Sequence, residues 1–168
     1  MLTDYALAGL VTAFAIRLRL GAGRTRASSE GPAAHSVGWW RIAFGVTALA
    51  AAAGGTSHGF RLYLGEAWHA RVWQLTVVLI VLSTVLTLGA AIRSVLRPSI
   101  AAGELRKTGH RWLQRGLYAT LAGVAIQQSG WALHTHFNHN DLYHLVQMAG
   151  LYCLYRGALT LEGLDKAA

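Results

Sequence analysis

The stretch WQLTVVLIVLSTVLTLGAAI, residues Trp73–Ile92, decides the fold, because its 20 residues include no charged side chain. A lipid bilayer has a hydrocarbon core about 30 Å thick, and about 20 apolar residues in a helix cross it. The rest of the 168-residue chain agrees, since 54% of its residues are hydrophobic and 13% are charged. An ordinary soluble domain has about 25% charged residues. The sequence therefore predicts an all-α, polytopic transmembrane helix bundle.

Five apolar stretches predict five membrane-spanning helices in a single domain of residues 1–168. They cover residues about 2–20, 39–56, 73–92, 117–133 and 142–161. The first span is the weakest, because Asp4 lies near its start and Arg17 and Arg19 lie near its end. Between the third and fourth spans, the basic segment Ile100–Arg115 predicts a short helix on the membrane surface.

The basic residues predict the direction of the spans. Thirteen of the fifteen Lys and Arg residues fall on one side of the predicted bundle, and only Arg61 and Arg71 fall on the other. Loops on the cytoplasmic side carry an excess of Lys and Arg. The N-terminus is therefore predicted outside and the C-terminus inside. The net charge of +8 accordingly indicates contact with membrane lipid and not with nucleic acid.

The histidines collect on the predicted outer side. His35 and His110 fall in the cytoplasmic connections, whereas the other six of the eight lie at or near the outer face. The densest run is WALHTHFNHNDLYH, residues Trp131–His144. Because the direction of the spans was derived from Lys and Arg alone, this clustering is an independent observation. The six are His58, His69, His134, His136, His139 and His144.

Two predicted helix ends bring candidate ligands together on the outer face. If the fifth helix begins near Asn138, then Asn140 and His144 lie one turn apart on it, with Asp141 beside them. The second span ends on the same side in GGTSHG, residues Gly54–Gly59. Its glycines let another backbone approach closely.

These residue types suit a catalytic zinc ion, which has three protein ligands and an open fourth position for an acidified water. His58 and His144 are the favoured ligands, and the third is either His139 or Asp141. Whichever of those two does not bind the metal is a candidate general base or ligand-orienting group. Asp141 and Ser57 are the candidate catalytic residues, with Ser57 hydrogen-bonding the metal-bound water or a substrate oxygen.

The same side chains also have structural interpretations. His69, His134 and His136 are best explained as headgroup contacts in a membrane-interface loop. Asp141 is equally well explained as the N-cap of the fifth helix, and His58 and His144 as histidines that only hydrogen-bond within the protein. Polar residues within spans usually face the bundle interior and hydrogen-bond between helices; here these are Gln127, Gln128, Ser129 and Gln147.

Several segments resemble an uncharacterised family of bacterial multi-pass membrane proteins. They are Ala125–Gly130, His134–His144 and Tyr155–Gly157, and Thr3–Tyr5 and Gly55–Phe60 are similar to the same family. The resemblance extends over most of the chain, and the H-x-H-F-N-H-N-D-x-x-H run is its most specific part. It implies a multi-pass protein of the bacterial inner (plasma) membrane, and it implies no activity.

A more distant resemblance is to the superfamily of alkaline ceramidases, progestin-and-adipoQ receptors and related membrane hydrolases. Those proteins have seven helices and a zinc ion held by an early histidine and a late H-x-x-x-H pair. The resemblance implies that His58 matches the early histidine and His144 the second of the late pair. Asn140 stands in the place of the first late histidine, which leaves His139 or Asp141 as the third ligand.

The sequence therefore carries three functional hypotheses. The favoured one is a non-enzymatic membrane protein with a structural or partner-binding role and a His-rich rim on the outer face, whose partners are lipid and other membrane subunits. The alternative is a zinc-dependent hydrolase of lipid amides or esters, in which metal hydroxide attacks the carbonyl. The third is haem ligation between His58 and His144.

Overall fold

The computed structural model describes residues 2–26, 33–96, 103–134 and 137–164, and it is built from five α-helices. Over these ranges there is no strand, and the one isolated bridge joins His134 to Phe137. The predicted all-α class is confirmed. The helices are α1 (Leu2–Arg26), α2 (Ala33–Gly59), α3 (Glu66–Leu96), α4 (Glu104–Ser129) and α5 (His139–Leu161).

Two of the helices in the described ranges have the length and apolar character needed to cross a membrane, Val37–Gly59 within α2 and the whole of α3. α3 is the more apolar of the two and the less buried within the protein. Its outward face carries Val78, Val81, Val85 and Leu88, each about 60% exposed. A contiguous apolar surface of this kind indicates contact with lipid or with another protein. The five-span topology stays a prediction.

Helix α1 joins two helical hairpins. α2 packs against α3, α4 packs against α5, and α1 lies between α2 and α5. Its Leu7, Val11, Phe14 and Leu18 are buried at the three- and four-residue spacing of one helix face. The Phe14 ring stacks on Tyr155 of α5 at 4.4 Å between centroids. The stretch with the weakest membrane signal is thus the helix that holds the bundle together.

The sequence predicted a separate surface helix in the basic segment before the fourth span, and the structure does not have one. α4 runs unbroken from Glu104 to Ser129 and ends at Gly130, whose φ of 64° is left-handed. Residues 117–129 of the predicted span 117–133 lie in α4, and its last residues follow the end of the helix. His110, predicted in a connection, lies within α4, and His35 lies within α2.

Glycines on facing sides of α4 and α5 explain why α4 is longer than its apolar part. A Cβ atom at Gly116 would lie 2.6 Å from the Leu154 side chain and 3.0 Å from the Gly150 carbonyl oxygen. A Cβ at Gly109 would lie 2.6 Å from Leu161, and one at Gly157 would lie 2.6 Å from Leu113. Small residues at such positions let two backbones approach closely. This seam holds the basic half of α4 against α5.

Alternating helix directions bring five helix termini together at each end of the bundle. The start of α1, the end of α2, the start of α3, the end of α4 and the start of α5 form what we call the His-rich end. The opposite termini form the arginine-rich end. There Trp40 Nε1 donates to Ser94 Oγ at 2.9 Å, and Ser94 Oγ donates to the buried Glu162 at 3.0 Å. The predicted histidine cluster falls near the end of α2, the start of α3 and the start of α5, which all lie at the His-rich end.

Candidate functional site

Helix α5 begins with a capping box. Asn138 is the N-cap, and its side-chain oxygen accepts from the Asn140 backbone N–H at 2.9 Å. In return, the Asn138 backbone N–H donates to Asp141 Oδ2 at 3.3 Å. The pattern satisfies backbone donors that a helix start leaves unpaired. The supposed start near Asn138 agrees with this capping box. The interpretation of Asp141 as the N-cap is wrong, because the N-cap is Asn138 and Asp141 is the third helical residue.

The other oxygen of Asp141 ties α5 to the start of α1. Thr3 Oγ1 donates to Asp141 Oδ1 at 2.8 Å and lies 3.1 Å from His144 Nδ1. A hydroxyl has one hydrogen. Because that hydrogen goes to Asp141, the contact with His144 requires the Nδ1–H of the imidazole to donate to Thr3. One threonine therefore orients both a carboxylate and a histidine ring.

The second ring nitrogen of His144 faces a buried carboxylate of α1. His144 Nε2 lies 3.5 Å from Asp4 Oδ1, and the Asp4 side chain is 4% exposed. Asp4 and His144 form an ion pair when the imidazole is protonated. The contact lies at the junction of α1 and α5.

The glycines at the end of α2 make room for Asp4. A Cβ atom at Gly55 would lie 2.9 Å from Asp4 Cβ, and one at Gly54 would lie 3.5 Å from Asp4 Oδ1. Next to them Tyr5 Oη lies 3.0 Å from Thr56 Oγ1. The atoms that lie against these glycines are side-chain atoms, chiefly of Asp4 and Tyr5 on α1. The predicted close approach of another backbone stays a prediction.

A second polar group lies between α2 and α3 at the same end. Ser57 Oγ is 3.3 Å from His69 Nε2, and Ser57 is fully buried. The pair borders a pocket of about 300 Å³ that is also lined by His58, Arg61 and Trp73. The exposed His58 ring lies edge-on to Trp73 at 5.7 Å between centroids.

The chain matches the model of a family of unknown function, DUF6962, over residues 1–103 and again over residues 98–162. Together the two matches cover nearly the whole sequence. The chain belongs to this family. No curated protein and no solved structure matches the chain. The resemblance to an uncharacterised family is confirmed, and the more distant likeness to the membrane hydrolases stays a prediction.

The residues predicted to bind zinc are divided between separate contacts in this DUF6962 member. His144 binds Thr3 and Asp4 through its two ring nitrogens, and His58, although within electrostatic range of His144, packs on Trp73 instead. His139 is the half-buried first residue of α5. Across the described ranges no group of three or more His, Cys, Asp or Glu side chains is spaced to hold a metal ion.

The two predicted catalytic residues make different contacts. Asp141 contacts α1 and caps α5, whereas Ser57 contacts His69. Of the two histidines in the dense run whose role was assigned to headgroups, His134 is exposed and His136 lies outside the described residues. Gln127, predicted to hydrogen-bond between helices, does so, since its Nε2 donates to Asn140 Oδ1 at 2.6 Å.

Sequence reasoning missed the two residues of α1 that organise this site in the DUF6962 member. Asp4 was treated as a charge that weakens the first span, and Thr3 was not considered as a contact. The available signal was the carboxylate itself, because an ionisable side chain in an apolar helix usually faces a partner inside the bundle. His69 was assigned to the membrane interface, but it contacts Ser57.

Proposed function

We propose that this DUF6962 member is a multi-pass protein of the bacterial inner membrane with a non-enzymatic, partner-binding role. In this proposal the polar cluster Thr3–Asp4–Asp141–His144 is a structural lock between α1 and α5. The observation that carries the proposal is that both ring nitrogens of His144 and both carboxylate oxygens of Asp141 bind groups of the same chain. These contacts within the chain account for each of the four polar atoms.

The surface of the bundle supports a membrane location. Besides the two candidate spans, α4 has an outward apolar face with Leu117, Tyr118 and Leu121, each more than half exposed. Soluble proteins of this size rarely expose so much contiguous apolar surface to water. Lipid, or the helices of another membrane subunit, would cover these faces.

Burial explains why such a lock suits a membrane protein. Polar side chains within a bilayer are costly unless they pair with one another, and hydrogen bonds between transmembrane helices each contribute about 1 kcal/mol. The cluster fixes the first helix against the last, because the two contacts of Thr3 reach residues that follow it by 138 and by 141 positions in the sequence. The exposed His58 at this end then lies on the surface that a partner outside the membrane core would contact.

Metal content and stability together test this proposal. The full chain, purified in detergent with a tag that contains no histidine, should hold well below one zinc per chain and show no Soret band. A chelator should leave its Tm unchanged. His144→Ala should lower stability by about 2 kcal/mol because it removes the contacts of the ring with Thr3 and Asp4 between α1 and α5, whereas the exposed His58→Ala should change it little.

Three results would contradict the proposal. Stoichiometric zinc that is lost in both His58→Ala and His144→Ala would favour the zinc-dependent hydrolase of lipid amides or esters. A Soret band lost in the same variants would favour haem ligation. Equal stability of His144→Ala and the unaltered protein would remove the structural lock.

A further inference from the structure

An open groove of about 510 Å³ runs between α1 and α2 on the outside of the bundle. Its walls are mostly apolar or small, and two arginines stand at one end. α1 contributes Ile16 and Arg19, and α2 contributes Arg41, Ile42, Gly45 and Leu49. The groove is separate from the polar cluster, which lies at the other end of α1.

The two arginines lie close to the same level of the bundle. Arg19 is near the end of α1 and Arg41 is near the start of α2, and these two helices run in opposite directions. Over the described part of the chain, neither guanidinium has a carboxylate or a hydrogen-bonding partner. Two guanidinium groups therefore lie at one end of an apolar groove, and no carboxylate of the described residues neutralises them.

Glycines keep the groove open. Cβ atoms added at Gly38 or Gly45 would meet no atom within 4 Å, although both residues line the groove. At Gly55 and Gly116, by contrast, an added Cβ would collide with the neighbouring helix. The glycines of the groove thus do not serve helix packing. They leave space beside α2.

We propose that this groove binds one anionic phospholipid, with its phosphate between Arg19 and Arg41 and an acyl chain along Ile16, Ile42 and Leu49. The inference rests on the membrane location proposed above. Guanidinium groups recognise phosphate through paired N–H donors. From Arg41 to Leu49 the helix rises about 12 Å, close to the roughly 15 Å depth of one leaflet's hydrocarbon. The groove therefore matches both the charge and the length of such a lipid.

Native mass spectrometry of the full chain tests the site. The protein is released from detergent in the presence of phosphatidylglycerol or phosphatidylcholine with the same acyl chains. One phosphatidylglycerol should bind in clear preference to phosphatidylcholine. Because each basic group near a membrane contributes roughly fivefold to binding of acidic lipid, Arg19→Gln or Arg41→Gln should weaken binding about fivefold and the double variant about 25-fold. Glycerol 3-phosphate alone should not compete, which separates a lipid from a free phosphate.

Matched variants separate loss of the site from loss of the fold. Gly45→Leu should fill the groove and abolish binding, and its helical circular dichroism should be unchanged because a Cβ added there meets no atom within 4 Å. Gly9→Leu, whose Cβ also meets no atom within 4 Å, and Arg17→Gln, which lies outside the groove, should bind as the unaltered protein does. These comparisons stand even if the zinc measurement contradicts the proposed function.

Three outcomes would overturn the inference. Equal binding of the two lipids would show that the arginines do not select an anion. Undiminished phosphatidylglycerol binding in Gly45→Leu would place the lipid elsewhere. A dimer that disappears in Gly45→Leu would mean that a second copy of the chain, and not a lipid, occupies the groove.

Discussion

At the scale of single residues, the Thr3 hydroxyl connects the polar cluster. It donates to Asp141 and accepts from His144, so it orders two ionisable side chains of α5 from a position on α1. Without it, Asp141 would keep only its capping contact with Asn138. His144 would keep only Asp4. The uncharged Thr3 therefore matters to the cluster as much as the ionisable Asp141 and His144 do.

Thr3→Val should therefore destabilise the protein although it preserves side-chain shape. Two interhelical contacts are lost, each worth about 1 kcal/mol in a membrane bundle, so a decrease of roughly 2 kcal/mol is expected. Unfolding in mixed micelles, followed by circular dichroism, measures the change. Thr84→Val is the matched control, because the Thr84 hydroxyl bonds only the Ile80 carbonyl of its own helix. Equal effects of the two substitutions would mean that the cluster adds no stability.

The contacts of Thr3 and Asp4 could not be predicted from the sequence. They join residues at opposite ends of the chain, and the pairing depends on α1 lying between the two hairpins. Hydrophobic runs predict that helices exist, but they do not predict which helices are neighbours. The start of α5 could be predicted, because Asn138 and Asp141 form a local N-x-x-D capping pattern.

At the scale of helices, the seam between α4 and α5 has the closest approach. Gly116 faces the Leu154 side chain and the Gly150 carbonyl oxygen, and an oxygen of the backbone cannot rotate away as a side chain can. The sequence predicts this helix as two separate pieces, because Arg106, Arg111 and Arg115 interrupt the hydrophobic signal of its first half. The glycines of this half of α4 pack against α5. A local sequence pattern cannot predict this packing, because it does not show which helix lies next to α4.

Gly116→Ala should separate α4 from α5 at this point. A methyl group 3.0 Å from a carbonyl oxygen and 2.6 Å from Leu154 forces a backbone shift that costs about 1–3 kcal/mol. Gly9→Ala is the control. Its added methyl group meets no atom within 4 Å, so only the better helix propensity of alanine acts, and stability should rise by up to about 1 kcal/mol. The same unfolding measurement should show a loss of stability for Gly116→Ala and a gain for Gly9→Ala. A stabilised Gly116→Ala would mean that the seam is looser than described.

At the scale of the whole molecule, the two ends of the bundle differ in chemistry. The arginine-rich end pairs basic groups with aromatic rings, since the Arg93 guanidinium lies 5.1 Å from the Trp39 ring and that of Arg156 lies 5.5 Å from the Trp112 ring. Aromatic and basic side chains are enriched where a bilayer meets water. At the His-rich end one such pair occurs as well, with the Arg71 guanidinium 5.2 Å from the Trp68 ring. The excess of Lys and Arg at the arginine-rich end is what predicts that this end faces the cytoplasm.

Cysteine labelling of intact cells should reveal that orientation. Cys153 is replaced by Ala, and single cysteines are placed at Leu62, which is 95% exposed beside the His-rich end, or at Leu105, which is 51% exposed near the start of α4. A membrane-impermeant maleimide should label Leu62→Cys from outside the cell and should reach Leu105→Cys only after lysis, because an odd number of spans with thirteen basic residues on one side directs that side inward. Labelling of both positions in intact cells would place the two ends on the same side. It would then follow that α3 does not cross the bilayer, and that the histidines and the arginine groove share one aqueous compartment.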